Sequence, residues 1–219
     1  MNSLKIALLS TLPLAGIGGA EVFLYNLSQR MLERGHNIHI YTRARFDQFL
    51  NDIRFYSNLA INVHVLPPAI GRTFNRLPFL GKQYIRTLQA IHRYEVWIII
   101  GAYPDAYIAS SLTGTVPLIL RTHGSDIQID NDIGHGMRRD PKVNERALYA
   151  VNKMDRVVAM TKTIHAEYIR MGVSESNIVD IPNGVDIPRF QSKRCNAQQV
   201  RKTYGISDDS FFILTVGRN

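Results

Sequence analysis

A histidine-containing segment gives the clearest indication of chemistry in this sequence. His123, Gly124 and Asp126 follow the short apolar run Pro117–Leu120, which predicts a buried strand. A strand that ends in these groups carries them to the carboxyl edge of its sheet, and ligands of open α/β sheets bind outside that edge. We therefore expect His123 to contact a ligand. An imidazole that only bonds a neighbouring carbonyl is the alternative.

A glycine-rich turn follows the first predicted strand, Lys5–Ser10. Gly18 and Gly19 end this turn, and Glu21 lies at the start of the next predicted helix. Backbone N–H groups at a helix N-terminus bind anions, and glycine lets a phosphate approach closely. A dinucleotide fingerprint would place a third glycine where Glu21 stands, so the turn favours a phosphate site over an NAD site. A flexible turn without a ligand is the alternative.

A third strand end carries Asn183 and Gly184, which follow the predicted strand Asn177–Ile181. Asn and Gly both tolerate positive φ, so the pair is also consistent with a plain turn. No metal site is predicted. The acids Asp130 and Asp132 lie in a polar irregular segment, and the histidines and the cysteine lack the spacing of zinc ligands.

The composition is that of a globular protein, and its positive charge suits either anionic partners or a plain soluble surface with an excess of Lys and Arg. The chain has 219 residues, 45% of them hydrophobic, and a formal net charge of +8. Cys195 is the only cysteine, which excludes an internal disulfide and favours a reducing, cytoplasmic compartment. No apolar run is long enough to span a bilayer.

Strands and helices alternate along the chain, which predicts βαβ units and an open, Rossmann-like parallel sheet with helices on both faces. We expect a loop over 67–80 and irregular structure over 125–140. The predicted strands are 5–10, 37–42, 61–66, 96–100, 117–122, 156–160, 177–181 and 211–216. The main predicted helices are 19–34, 81–94, 105–112, 141–154, a helix from 161 or 163 to 172, and 198–204.

The same pattern predicts the domain organisation. Residues 1–190 form one Rossmann-like domain, and the polar stretch 191–209 is a connector. Residues 210–219 are expected to be the first strand of a second domain, which lies beyond this sequence.

Five cations lie in the segment before the predicted helix 81–94 and along one side of that helix. Such a run is often only a solvated helix face. It also suits contact with anionic lipid headgroups, where each basic residue contributes about 1 kcal/mol, and the apolar residues of 77–80 could insert. The cations are Arg72, Arg76, Lys82, Arg86 and Arg93.

Together the motifs resemble the amino-terminal domain of a family 4 retaining glycosyltransferase of the GT-B type. The segments that carry the resemblance are GGAE at 18–21, HGSD at 123–126, IPNGVD at 181–186 and LTVGR at 214–218. Each is weak alone, but their order and spacing make the set specific.

The resemblance implies two Rossmann-like domains that face a cleft, the first binding the acceptor and the second most of the nucleotide-sugar. Gly18 and Gly19 would lie against the donor diphosphate or the acceptor, and His123 beside the transferring sugar. Asn183 would lie near the cleft and hinge. The remaining expected binding residues are Glu21, Gly124, Asp126 and Gly184.

The reaction implied is transfer from a nucleotide-diphosphate sugar to an acceptor hydroxyl, with retained configuration, no metal and no cofactor beyond the donor. The acceptor would be a glycan or a lipid-linked molecule, as in cell-envelope glycan biosynthesis. The location would be cytoplasmic or peripheral at the inner face of the membrane. Without its own carboxyl-terminal domain as partner, this chain is expected not to turn over.

Two other classes remain open at this point. The positive charge also suits a non-catalytic module that binds nucleic acid or anionic lipid, with an affinity that falls steeply with salt. An NADP-linked reductase using Arg43 is the second alternative. The glycosyltransferase interpretation expects no nucleic acid.

Overall fold

The computed structural model describes residues 3–10, 19–43, 61–185, 187–188 and 197–215. Seven parallel strands form one open sheet in the order β3-β2-β1-β4-β5-β6-β7. The strands are β1 (Lys5–Ser10), β2 (Asn37–Arg43), β3 (Asn62–Leu66), β4 (Val96–Ile100), β5 (Leu118–Arg121), β6 (Arg156–Ala159) and β7 (Ile178–Asp180).

Helices lie in the described connections between these strands and after β7, which confirms the predicted α/β class. They are α1 (Gly19–Glu33), α2 (Pro68–Arg76), α3 (Pro78–His92), α4 (Pro141–Val151), α5 (Lys162–Arg170) and α6 (Ala197–Thr203). Short helical turns at Ala102–Ala106, Tyr107–Ala109 and Ser110–Leu112 join β4 to β5.

The strand order reverses between β1 and β4. The chain adds β2 and β3 on one side of β1, then crosses to β4 and adds the remaining strands on the other side. Neighbouring connections therefore leave the sheet toward opposite faces at this point and open a crevice at its carboxyl edge. Ligands of doubly wound folds bind in such a crevice.

Both faces of the sheet are buried, because alternate residues of each strand point to opposite faces. Ile6 and Leu8 of β1 pack in one apolar cluster with Leu24 of α1. Ala7 and Leu9 belong to a second cluster that includes residues of α3, α4 and α5. The predicted helices on both faces are thereby confirmed.

The predicted loop over 67–80 is wrong, since it contains α2 and the first residues of α3. Pro68 and Pro78 each occupy the first turn of one of these helices. Proline suits that position, because its fixed φ is helical and its missing N–H has no helical partner there. Leu77 ends α2 and precedes α3 with φ −124° and ψ 73°, which breaks the helix between them.

The predicted strand at 211–216 is absent over its described part. Residues 211–215 have no strand pairing, and Phe211 is 91% exposed. An extended segment becomes a stable strand only beside a hydrogen-bonded neighbour, and the described residues provide none here. By contacts the chain divides into two compact units, Met1–Pro182 and Asn183–Asn219; the predicted domain bounds stay a prediction.

Among the residues that the structure describes, no helix combines the length and the apolar character needed to cross a bilayer.

Candidate active site

Asp126 fixes the turn after β5 to the turn after β4. Its Oδ1 accepts the backbone N–H of His123 at 3.0 Å, and its Oδ2 accepts that of Ala102 at 2.9 Å. The backbone N–H of Gly101 donates to the carbonyl oxygen of Arg121 at 3.0 Å. Two of these hydrogen bonds join the carboxyl ends of two neighbouring strands, and the third fixes Asp126 within its own turn.

The Asp126 carboxyl group is buried, with 7% of its surface exposed. Burial raises its pKa above the ordinary value, while the backbone N–H groups of Ala102 and His123 oppose that rise. Both oxygens are engaged by the protein, so the geometry gives Asp126 a positioning role. Its predicted contact with a substrate stays a prediction.

His123 lies between a guanidinium group and an aromatic ring. Nη1 of Arg121 is 3.3 Å from Nε2 and 3.4 Å from Nδ1 of the imidazole. The Phe23 ring of α1 meets His123 edge-on, with 6.1 Å between ring centroids. Cζ of Arg121 lies 3.3 Å from the centroid of the Phe23 ring, within the range of a cation–π contact.

These neighbours keep the imidazole neutral at pH 7. Burial, followed by the charge of Arg121, lowers the pKa of His123 to about 4. Burial also lowers the pKa of Arg121 to about 10, which leaves the guanidinium charged at neutral pH. A neutral imidazole can both donate and accept a hydrogen bond, whereas an imidazolium only donates.

Gly124 lets the chain turn directly after His123. Its φ is +105°, and a Cβ added there would lie 2.9 Å from Oε1 of Gln128. A side chain would therefore be strained by the backbone and crowded by a neighbour. Glycine at this position sets the path of the turn that Asp126 closes.

The N-terminal part of α1 lies beside His123. Gly19 is the first residue of α1, and Phe23, which contacts His123 and Arg121, follows one turn later. Glu21 is buried in the first turn, where a carboxylate is favoured by the helix dipole. Gly18 lies outside the described residues. A Cβ at Gly19 would meet no atom of the described residues within 4 Å. The phosphate role of this segment stays a prediction.

The remaining predicted binding residues belong to the second compact unit. Asn183 takes part in a polar or electrostatic contact, and a Cβ at Gly184 would meet no atom within 4 Å. The sheet belongs to the first unit, so the predicted position of Asn183 and Gly184 near a cleft stays a prediction. Among the described residues, no group of His, Cys, Asp and Glu side chains is arranged to hold a metal.

The predicted cationic surface divides into two parts. Arg72 and Arg76 of α2 and Arg86 and Arg93 at α3 are exposed. Lys82 is partly buried instead, with Nζ 4.0 Å from the centroid of the Tyr107 ring. It belongs with a group of tyrosines rather than with the solvent-facing arginines.

Sequence reasoning did not select three residues that the structure brings to this edge. Arg121 is buried against His123, and Nη1 of Arg146 donates to the Tyr103 hydroxyl at 2.9 Å. A charged residue at the end of an otherwise apolar strand indicates a functional position, and this pattern could have identified Arg121. Tyr103 and Arg146 are far apart in sequence, and only the fold places them together.

The sheet order and the partly buried imidazole at its carboxyl edge belong to a Rossmann-like fold of the kind found in each half of GT-B proteins. The chain shares this fold with the Anabaena protein Alr3699/HepE, solved with UDP-glucose, at a TM-score of 0.64 and 18% identity, over 92% of this chain and 50% of that one. Sucrose-phosphate synthase from Thermosynechococcus elongatus matches with a TM-score of 0.65 and 15% identity, over 94% and 53%.

The family follows from a direct match. The model of Glycosyltransferase Family 4 matches residues 17–189, and the chain belongs to this family.

Curated relatives cover the chain almost completely, but the chain spans about half of their length. N-acetyl-alpha-D-glucosaminyl L-malate synthase of Bacillus anthracis is 24% identical, over 91% of this chain and 50% of the relative. D-inositol 3-phosphate glycosyltransferase of Geodermatophilus obscurus is 26% identical, over 92% and 46%. The GPI3 subunit of phosphatidylinositol N-acetylglucosaminyltransferase of Saccharomyces cerevisiae is 23% identical, over 98% and 46%.

Proposed function

We propose that this chain is the acceptor-binding half of a retaining glycosyltransferase that moves a sugar from a nucleotide-diphosphate sugar to an acceptor hydroxyl. The observation that carries the proposal is the position of His123 at the carboxyl edge of the sheet in a family 4 chain. The UDP and UDP-glucose of the HepE structures support a nucleotide-sugar as donor. The family favours this function over a nucleic-acid module or a reductase.

The carboxylates near this edge favour a mechanism without a covalent nucleophile. Glu21, Asp105 and Asp126 are 8%, 2% and 7% exposed, and both oxygens of Asp126 accept backbone N–H groups. A nucleophile would need a free carboxylate aimed at the sugar. Transfer would instead depend on positioning and on stabilisation of the departing diphosphate, with the neutral imidazole holding a sugar hydroxyl.

The acceptor that we propose carries an anionic group. The names of the three relatives specify L-malate, inositol 3-phosphate and phosphatidylinositol, and each of these molecules is an anion. The net charge of +8 on this chain is the complementary sign. A lipid-linked or a soluble acceptor fits equally with this chemistry.

The test is a hybrid in which this chain is followed by the second half of the Bacillus anthracis relative. We expect the hybrid to transfer sugar from one of a panel of UDP- and GDP-sugars, and neither half alone to turn over. His123→Ala should lower the kcat of the hybrid by about 10²-fold, the effect of removing one positioned hydrogen-bonding group.

Circular dichroism and UDP binding would show that the hybrid is folded. A folded hybrid without transfer from any donor contradicts the proposed reaction. An unchanged kcat in His123→Ala contradicts the role of the imidazole. Robust turnover by the 219-residue chain alone contradicts the proposal that it is an incomplete enzyme.

We also propose contact with an anionic membrane surface through α2 and α3. No acidic residue occurs between 53 and 94. Phe79 is 59% exposed beside the exposed Leu77 and Leu80, at the junction of the two helices. Exposed apolar side chains flanked by cations are the composition of an interfacial segment.

Sedimentation with vesicles tests this contact. We expect binding to phosphatidylglycerol vesicles and little to phosphatidylcholine, and about thirtyfold weaker binding for Arg72→Gln combined with Arg76→Gln, two charges at about 1 kcal/mol each. The matched control is Arg201→Gln with Lys202→Gln on α6. An equal loss of vesicle binding in both double variants would mean that binding depends on net charge alone, which contradicts a specific surface on α2 and α3.

A further inference from the structure

A buried arginine lies directly against the imidazole of His123. Arg121 is the last residue of β5, and 5% of its surface is exposed. Cζ of its guanidinium is 3.3 Å from the centroid of the Phe23 ring. Nη2 donates to the thioether sulfur of Met160 at 2.7 Å, and Nη1 contacts the imidazole of His123. Side chains from α1, from the turn after β5 and from the residue after β6 therefore hold this guanidinium in one place.

The contact with His123 depends on the charge state of the imidazole. Nη1 of Arg121 is 3.3 Å from Nε2 and 3.4 Å from Nδ1, so distance alone does not select either ring nitrogen. A guanidinium carries only N–H donors, and an imidazolium also carries only N–H donors. The contact therefore suits a neutral ring, which keeps one acceptor nitrogen. A protonated ring would lose that acceptor and would face a like charge.

The charge of Arg121 acts on the imidazole at close range. Burial is the larger cause of the lowered pKa of His123, and the charge of Arg121 is the second. The side chains of Phe23 and Met160, which enclose the guanidinium, carry no charge. Removal of the guanidinium would therefore leave burial as the remaining cause. The other described titratable groups on the surrounding elements are Glu21 of α1, Asp126 of the turn after β5 and Tyr168 of α5.

We propose that Arg121 is a positioning residue for His123: its guanidinium fixes the imidazole in one orientation and one charge state for contact with the sugar. The inference rests on the proposed function and assigns the group that supports His123. Phe23 and Met160 keep the guanidinium against the ring. His123 then acts as a hydrogen-bonding group and not as a general base, because a proton taken up by the ring would meet the charge of Arg121.

NMR titration of the histidine Cε1–H signals in the 219-residue chain tests this pairing without donor or acceptor. The His123 signal is assigned as the one that is missing in His123→Gln. In the wild type it should barely shift between pH 8 and 5.5, because the pKa of His123 is about 4. In Arg121→Met the midpoint should rise by about 1–2 pH units, since removal of a neighbouring positive charge favours the protonated ring.

Three further variants separate charge from packing. Arg121→Lys keeps a positive charge, so the His123 midpoint should stay close to that of the wild type. Arg121→Gln keeps an N–H donor without the charge, and its midpoint should rise as in Arg121→Met. The matched control is Arg138→Met, which removes an arginine with a 9% exposed side chain that pairs with Glu167. This change should lower stability without moving the His123 midpoint.

The kinetics of the hybrid provide a second readout. Arg121→Met should lower kcat about tenfold or more, because catalysis that depends on orientation is sensitive to small displacements. The KM for the donor should change less than about twofold, since Arg121 has no proposed contact with the substrate. Phe23→Leu, which removes the aromatic face but keeps both Arg121 and His123, should lower kcat by a smaller factor.

Each result decides the proposal. An unchanged His123 midpoint in a folded Arg121→Met or Arg121→Gln overturns it. So does a midpoint in Arg121→Lys as high as in Arg121→Met, or an equal shift in Arg138→Met. Loss of folding in both neutral variants, followed by circular dichroism, would make Arg121 a structural residue and also overturns it. The expected shift of His123 together with a hybrid that transfers no sugar would contradict the proposed function but not this pairing.

Discussion

Removal of the Asp126 carboxylate should destabilise the first compact unit by an amount that the structure allows us to estimate. In Asp126→Ala the buried N–H groups of Ala102 and His123 both lose their acceptor. Each unsatisfied buried donor costs about 1–3 kcal/mol. Relief of the burial that raises the pKa of Asp126 offsets part of this cost. We therefore expect the free energy of unfolding to fall by about 2–4 kcal/mol.

The isosteric change separates the hydrogen bonds from the volume of the side chain. Asp126→Asn keeps one acceptor oxygen but turns an NH₂ group toward the other N–H donor, so the loss should be smaller, about 1–3 kcal/mol. Urea denaturation followed by circular dichroism at pH 7 measures both values. Asp132→Ala, at an exposed carboxylate, should change stability by less than about 0.5 kcal/mol. A loss below about 1 kcal/mol in Asp126→Ala would refute the reasoning.

Two further stability predictions follow from local geometry. Gly124→Ala should cost about 1 kcal/mol more than Gly114→Ala, because the φ of Gly124, +105°, lies further outside the left-handed region that an alanine can adopt than the +77° of Gly114; equal losses in urea denaturation would contradict this. Burial lowers the pKa of His39 from 6.5 to about 4, so the unfolded chain binds its proton first and stability should fall as the pH drops from 6.5 toward 4. The shift corresponds to at most about 3 kcal/mol, which solvent screening reduces to about 1–2. His39→Phe should reduce the loss of unfolding free energy between pH 7 and 4.5. An unchanged pH dependence would show that His39, whose Nδ1 lies 3.1 Å from Nε2 of His64, is not its source.

The strands and most helices were predictable because their signals are local. The run Val96–Ile100 is apolar throughout, and it forms a strand buried from Trp97 onward. The loop predicted over 67–80 was wrong, which shows the limit of prediction from local composition. The prolines and glycines of this stretch predict a break in helical structure, whereas Pro68 and Pro78 stand where a helix begins. Composition alone does not distinguish a proline that ends a helix from one that starts it.

The site was predictable in its location but not in its internal bonding. A histidine after a short apolar strand indicates the carboxyl edge, and His123 lies there. The role of Asp126 depends on Ala102, which lies 24 residues earlier in the sequence. The Tyr103–Arg146 hydrogen bond spans 43 residues. Such pairs are set by strand order, and no local pattern specifies it.

The proposed mechanism depends on how firmly the two turns at the carboxyl edge are held relative to each other. The turn that carries Tyr103 is joined to the turn that carries His123 through Ala102 and Asp126, and the Asp126 carboxylate that accepts both hydrogen bonds is buried. A displacement of about 1 Å can lower a rate by about 10²-fold when catalysis depends on orientation. Asp126→Asn should therefore reduce transfer by the hybrid more than it weakens binding of inositol 3-phosphate. Equal effects on both would mean that Asp126 supports only the binding surface.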